Sequence, residues 1–295
     1  RLSNKALRPS EFFNLATIHS IDNPYLHDDF YDWQTGHALQ PSEKVINASK
    51  FPFPLVATLK DDYKKLIDLA CIQFELDNDI VTSLQVFEAE NILEYLNSKV
   101  VYNRSINSYA YIVAARVLGR YAEKWVRQQW SNRRPDELFV FAEALKACLP
   151  FDDAFEIVTT ELEKGSDSEM TENVTILCYF ESAATLDWIE SMRHRITNVG
   201  TGWGVVVAAS KLDWVTAEKW LLGGRPMSLI ALDALDYCTT KGDRQNQAYW
   251  LRKHPPALIN LPSGKEIAQS LAEYLLKDSV PRTRNAVNRI VENLQ

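Results

Sequence analysis

Val207-Ala208-Ala209-Ser210-Lys211-Leu212-Asp213-Trp214-Val215-Thr216-Ala217-Glu218-Lys219-Trp220-Leu221-Leu222 reads as the end of a buried helix, a short turn and a second, amphipathic helix. Pieces of this stretch return elsewhere. Val113-Ala114-Ala115 followed by Ala122-Glu123-Lys124-Trp125 repeats its two ends, and Leu186-Asp187-Trp188 repeats Leu212-Asp213-Trp214 at an offset of 26. A small side chain recurs every 30 residues, at Cys148, Cys178, Ala208, Cys238 and Ala268. Trp220-Leu221 returns as Trp250-Leu251, and Asp213 as Asp243, at the same spacing. Stacked helix pairs leave such a signature, because each pair needs a small residue where neighbouring backbones approach.

Outward from this stretch, apolar residues at three- and four-residue steps predict further pairs. The expected helices are 108–118 with 121–130, 136–149 with 153–164, 172–185 with 187–196, 204–211 with 213–222, 226–240 with 244–253, and 265–277 with 282–293. Asp153, Asp187, Asp213 and Asp243 stand where second helices should begin, and a carboxylate there can accept from orphan backbone N–H groups. Upstream, Leu66, Ile67, Leu69, Ala70 and Phe74 mark one helix, and Ile80, Leu84, Phe87, Ile92, Leu93 and Leu96 mark a second. No β-segment competes: Val205–Val207 runs directly into helically spaced residues.

The first sixty residues differ. Pro9, Pro24, Pro41, Pro52 and Pro54 break up any long helix, while Phe12, Phe13, Tyr25, Phe30, Tyr31, Trp33, Phe51 and Phe53 need cover. The expected organisation is therefore all-α, with stacked antiparallel helix pairs. It divides into an irregular arm over 1–60 that wraps the body with short helices, an acidic helix pair over 61–104 and a helical-repeat domain over 105–295.

Composition excludes several classes. With 46% hydrophobic and 24% charged residues the chain is too apolar for disorder. No apolar run approaches the ~20 residues that cross a bilayer. The four cysteines lie in apolar helical contexts without CxxC spacing, so they read as reduced packing residues of a cytoplasmic protein. The net charge of −7 is concentrated: residues 61–98 hold nine acids against two bases. Such a face repels a nucleic-acid backbone and suits a basic protein.

The period and the placement of small residues resemble α-solenoid proteins of the HEAT or armadillo kind over about residues 105–295. The tetratricopeptide and ankyrin signatures are absent. An acidic, helical chain of this size also resembles, in general character, the bacterial immunity proteins that bind and silence a toxin. That resemblance implies a non-enzymatic inhibitor with a toxin as its partner.

Candidate chemistry is sparse. His19, Asp22, His27, Asp28, Asp29, Asp32 and His37 gather three of the five histidines among four acids, and such side chains can ligate zinc, manganese or iron. The best metal candidates are His19, His27, Asp28, Asp29 and His37, which would make the chain a metal-dependent enzyme. Their spacing matches no HExxH or paired ExxH motif, and a turn-rich arm with capping aspartates explains them better. Gly200-Thr201-Gly202-Trp203-Gly204 precedes a helix as a phosphate loop does. It follows a helix rather than a strand and lacks a Gly-Lys-Ser/Thr ending, so it reads as an interhelical turn. Gly223-Gly224-Arg225-Pro226 reads as a helix stop and start. His194 and His254 read as helix C-terminal caps, and Arg282, Arg284 and Arg289 as a basic face on the last helix.

The sequence thus predicts a binding protein without a cofactor. Its contacts with a basic protein partner would be made by Asp68, Glu75, Asp77, Asp79, Glu88, Glu90 and Glu94. The alternatives are the metal-dependent enzyme and a scaffold subunit of a larger complex.

Overall fold

The computed structural model describes residues 31–32, 37–38, 62–72, 76, 78–102, 109–240, 250–251, 254–256, 258–260 and 262–294. The 1–60 arm, apart from two short strands, and most of the 244–253 helix lie outside these residues. The fold class is all-α. The chain forms two compact units, residues 1–149 and 150–295.

The first unit holds α1 (Tyr63–Ile72), α2 (Asn78–Leu84), α3 (Ala89–Tyr102), α4 (Ala110–Leu118), α5 (Glu123–Trp130) and α6 (Leu138–Cys148). Its centre is α4, where Ala110 to Ala115 and Val117 are buried. A helix apolar all round must be covered all round. Leu66, Ile67, Ile80, Leu84, Ile92 and Leu96 fill the same core from α1–α3. Tyr111 of α4 stacks on Phe141 of α6 at 4.3 Å between ring centroids and leans on Trp125 of α5 at 5.3 Å.

The second unit holds α7 (Phe151–Lys164), α8 (Asp167–Asn173), α9 (Ala183–Ser191), α10 (Thr201–Ala209), α11 (Trp214–Leu222), α12 (Met227–Thr239), α13 (Gly264–Lys277) and α14 (Pro281–Leu294). Here α10 is the central helix, buried from Trp203 to Ala209. It lies so close to α12 that a Cβ at Gly204 would sit 2.6 Å from the Cβ of Asp233. Only glycine permits that approach. Gly224, at φ +88°, makes the left-handed turn between α11 and α12.

Two of the sequence echoes, Val-Ala-Ala and Ala-Glu-Lys-Trp, meet similar surroundings. Ala114-Ala115 and Ala208-Ala209 are the buried small residues of the two central helices. Trp125 donates from Nε1 to Asn97 Oδ1 at 3.0 Å, and Trp220 donates from Nε1 to Glu190 Oε2 at 3.3 Å. One bond ties α5 to α3, and the other ties α11 to α9. Trp188 of α9 repeats the bond onto Glu163 of α7 at 2.7 Å. Of the 30-residue series, Cys148, Cys178 and Ala208 are buried, and Cys238 and Ala268 are half-buried.

Four local expectations need correction. The helix expected over 172–185 is instead the end of α8 followed by a 3-10 segment, Val174–Phe180. Its β-branched and aromatic run packs inward on nearly every side, as a tight 3-10 turn permits. Consequently α9 begins at Ala183, and Asp187 lies exposed inside it rather than at its start. Asp213 does cap α11, accepting from the Thr216 backbone N–H at 3.1 Å. The Leu-Asp-Trp echo therefore joins inequivalent positions. Short strands also occur: β1 (Tyr31–Asp32) pairs antiparallel with β2 (His37–Ala38), and β3 (Leu212–Asp213) pairs parallel with β4 (Leu258–Ile259). Last, His254 does not cap a helix with its ring: Nδ1 meets the Glu181 carboxylate, with Tyr179 edge-on at 5.6 Å.

The basic face expected on α14 is mostly consumed inside the unit. Arg282 donates from Nη2 to Asp233 at 2.7 Å, and Arg289 donates from Nη2 to Asp236 at 2.6 Å. Asn293 reaches Thr240 at 3.5 Å, completing a row that fastens α14 along α12.

Candidate functional site

The acidic surface is built by α1–α3 and the turn between α2 and α3. Helix α3 is amphipathic: Ile92, Leu96 and Val100 point into the core. Glu90, Glu94, Asn97 and Val101, at steps of four, three and four, are exposed along its opposite side. Glu88 in the preceding turn and Asp79 in the first turn of α2 are exposed as well. Acids suit these positions because a helix N-terminus carries partial positive charge.

Asp68 stands apart from this group. It forms an ion pair with Lys99 and accepts from Tyr95 Oη at 3.0 Å, and its side chain is only 15% exposed. Burial, followed by the neighbouring Asp68 charge, pushes the Tyr95 phenol above its ordinary range. Asp68 is thus committed to holding α1 against α3. Sequence reasoning missed this because Lys99 falls one residue beyond the acidic window of 61–98, while Tyr95 and Lys99 share a face by their i, i+4 spacing.

Glu75 and Asp77 lie outside the described residues. Glu90 accepts a hydrogen bond from the Tyr121 hydroxyl, and its carboxyl is held below the usual range by its own backbone N–H and then by that phenol. Glu88 and Glu94 pair with no lysine or arginine among the described residues. Beside the acids lie three exposed apolar side chains that the sequence reading did not single out: Val86, Val101 and Tyr102, 78%, 79% and 89% exposed. The signal for the latter two was present, since positions 101 and 102 fall off the 92–96–100 core stripe.

Other chemistry has little support among the described residues. No group of three or more His, Cys, Asp or Glu is placed there to hold a metal ion. His19, His27, Asp28 and Asp29 lie outside those residues, and of His37 only the β2 pairing with Asp32 is described. The four cysteines are free, and burial raises every thiol, those of Cys71, Cys148 and Cys238 up to about 12. Burial of this kind disfavours the thiolate form. His194 caps α9 as expected, its Nδ1 lying 3.1 Å from the Ser191 carbonyl oxygen. No described helix is long and apolar enough to cross a membrane.

No protein-family model, curated protein or solved structure matches the chain.

Proposed function

We propose that the chain is a non-catalytic protein-binding module whose acidic surface on α2 and α3 docks a basic protein. The observation that carries this reading is the exposure of Glu88, Glu90 and Glu94 with no lysine or arginine pairing them among the described residues. Carboxylates left in this state raise the local negative potential and steer a cationic partner during diffusional encounter. Val86, Val101 and Tyr102 supply apolar contact at the edge of the acids, as the buried centre of an interface requires. In its sharpest form the reading is an immunity or inhibitor protein that covers a basic toxin. The four free thiols, three of them buried and that of Cys238 half-buried, fit a reducing, cytoplasmic setting.

The test is a paired capture from the source cell. Wild-type protein and a variant carrying Asp79→Lys, Glu88→Lys, Glu90→Lys and Glu94→Lys are used as bait, and retained proteins are identified by mass spectrometry. The reading expects a basic protein held by wild type and lost by the variant. With that partner purified, association should slow roughly ten- to hundredfold in the variant and lose most of its salt dependence. A set of retained proteins unchanged by the reversal would overturn the reading.

A further inference from the structure

The second unit contains a cavity of about 420 Å³ whose walls include Gly200, Thr201, Asp233, Arg282, Ala286 and Arg289. Its volume falls within the ~300–1,000 Å³ of small-molecule sites. Two guanidinium groups from one face of α14 confront the N-terminal turn of α10 across this space. We propose that the cavity binds a small molecule through a phosphoryl group held by Arg282 and Arg289.

Each arginine is anchored by a buried carboxylate. Asp236 is fully buried and Asp233 nearly so. Buried ion pairs seldom stabilise a fold better than apolar side chains of similar size, because both charges must leave water. These pairs do hold the guanidinium planes still. Arg282 uses Nη2 on Asp233, and Arg289 uses Nε and Nη2 on Asp236, with Thr240 Oγ1 bracing the same carboxylate at 3.2 Å. Nε and Nη1 of Arg282 and Nη1 of Arg289 have no protein acceptor among the described residues. The two arginine side chains remain 55% and 43% exposed, so these donors are open to a ligand. A phosphoryl group, with several acceptor oxygens, matches a pair of fixed planar donors.

Each arginine is paired with an aspartate, and Asp233 is itself part of the cavity wall. The N-terminus of α10 adds about half a positive charge. Gly200, its N-cap, has no side chain to occupy the first free amides. Ala286 and Val199 leave apolar wall for the rest of the ligand. The glycine-rich segment 200–204, which as sequence alone reads as a turn, thereby gains an opposing pair of arginines.

The cavity belongs wholly to the second unit, so its test is independent of the acidic surface. Purified full chain is titrated by calorimetry at matched ionic strength with inorganic phosphate, with adenosine monophosphate and with adenosine. Saturable binding of phosphate or of the monophosphate, without binding of adenosine, supports the site. Equal affinity for the two phosphates assigns the ligand to free phosphate, and preference for the monophosphate assigns it to a phosphoester. Thr201→Glu places a carboxylate in the cavity at a first-turn position that helices favour, and it should weaken binding at least about tenfold with melting temperature preserved. If that variant fails to fold, Arg282→Lys keeps the charge but loses the planar fork, and it should weaken binding by a similar factor. Absence of saturable phosphate and monophosphate binding at millimolar concentration, equal binding of adenosine, or unchanged affinity in the folded variant would each overturn the proposal.

Discussion

The exposed carboxylates of α2 and α3 in the first unit and the partnered carboxylates of the second do opposite jobs. On α2 and α3, Glu88 and Glu94 face solvent with no lysine or arginine pairing them among the described residues. In the second unit, Glu190 joins Lys219 and Trp220, Asp278 joins Arg225, and Asp233 and Asp236 join the arginines of α14. The same residue type thus supplies long-range field in one place and local adhesion in the other. What decides is burial. A carboxylate taken out of water must be matched, whereas one left in water stabilises little and can be spared for a partner.

The contrast is sharpest at Asp236 and Arg289. Replacing Arg289 by Met removes a guanidinium partner from a fully buried carboxylate, which should cost about 3–5 kcal/mol. Asp236→Asn instead strands an arginine that is already half solvated, and should cost only about 1–2 kcal/mol. Urea unfolding of both variants, followed on the transition that reports the second unit, measures the asymmetry. The double variant Asp236→Leu with Arg289→Met should recover much of the loss, since an apolar pair needs no matching. Equal costs for the two single variants would mean that Asp236 is not sealed from water.

How much of this was legible beforehand depends on the residue. The all-α class followed from three- and four-residue apolar spacing, and the Ala-Glu-Lys-Trp echo pointed to positions that make the same Trp N–H bond in both units. The Leu-Asp-Trp echo misled, because Asp187 and Asp213 look alike in sequence while only Asp213 precedes its helix. Val174–Phe180 carries a helical apolar density, and the tighter turn it adopts depends on packing that no local pattern encodes. At the acidic site, Asp79, Glu88, Glu90 and Glu94 could be counted from composition, but the neutralisation of Asp68 required knowing that Lys99 returns to α1. The arginine-lined cavity was hidden for a similar reason. Arg282 and Asp233 are 49 residues apart, and a basic helix face gives no hint of where its counter-charges lie.

A smaller effect distinguishes the two kinds of carboxylate by pH. Lys219 is the main cause holding the Glu190 carboxyl below its usual range, with Trp220 adding to it, and Arg225 does the same for Asp278. A folded value depressed below the unfolded one contributes stability that is fully present above the ordinary carboxylate range near pH ~4. That contribution disappears as pH falls through the lower folded value. Glu190→Gln removes its share while leaving an acceptor for Trp220. The variant should lose about 0.2–1 kcal/mol at pH 7, discounted for the exposed lysine, and almost nothing at pH 3. Urea midpoints at the two pH values give the comparison, and an identical pH 7 to pH 3 difference in variant and wild type would sink it.

The least disturbance of stability is expected where the proposed function is greatest. Glu88→Gln and Glu94→Gln remove charges that face water and hold no lysine or arginine among the described residues, so stability should stay within about ±0.5 kcal/mol. Their repulsion of one another also falls, which opposes any loss of solvation. Thermal melts in low and in high salt separate the two contributions, because a Debye length of ~10 Å at 0.1 M already screens most repulsion between exposed groups. A drop well beyond that range would show that these glutamates fasten the first unit together, as Glu190 and Asp236 do the second, and are not surplus charge kept for a partner.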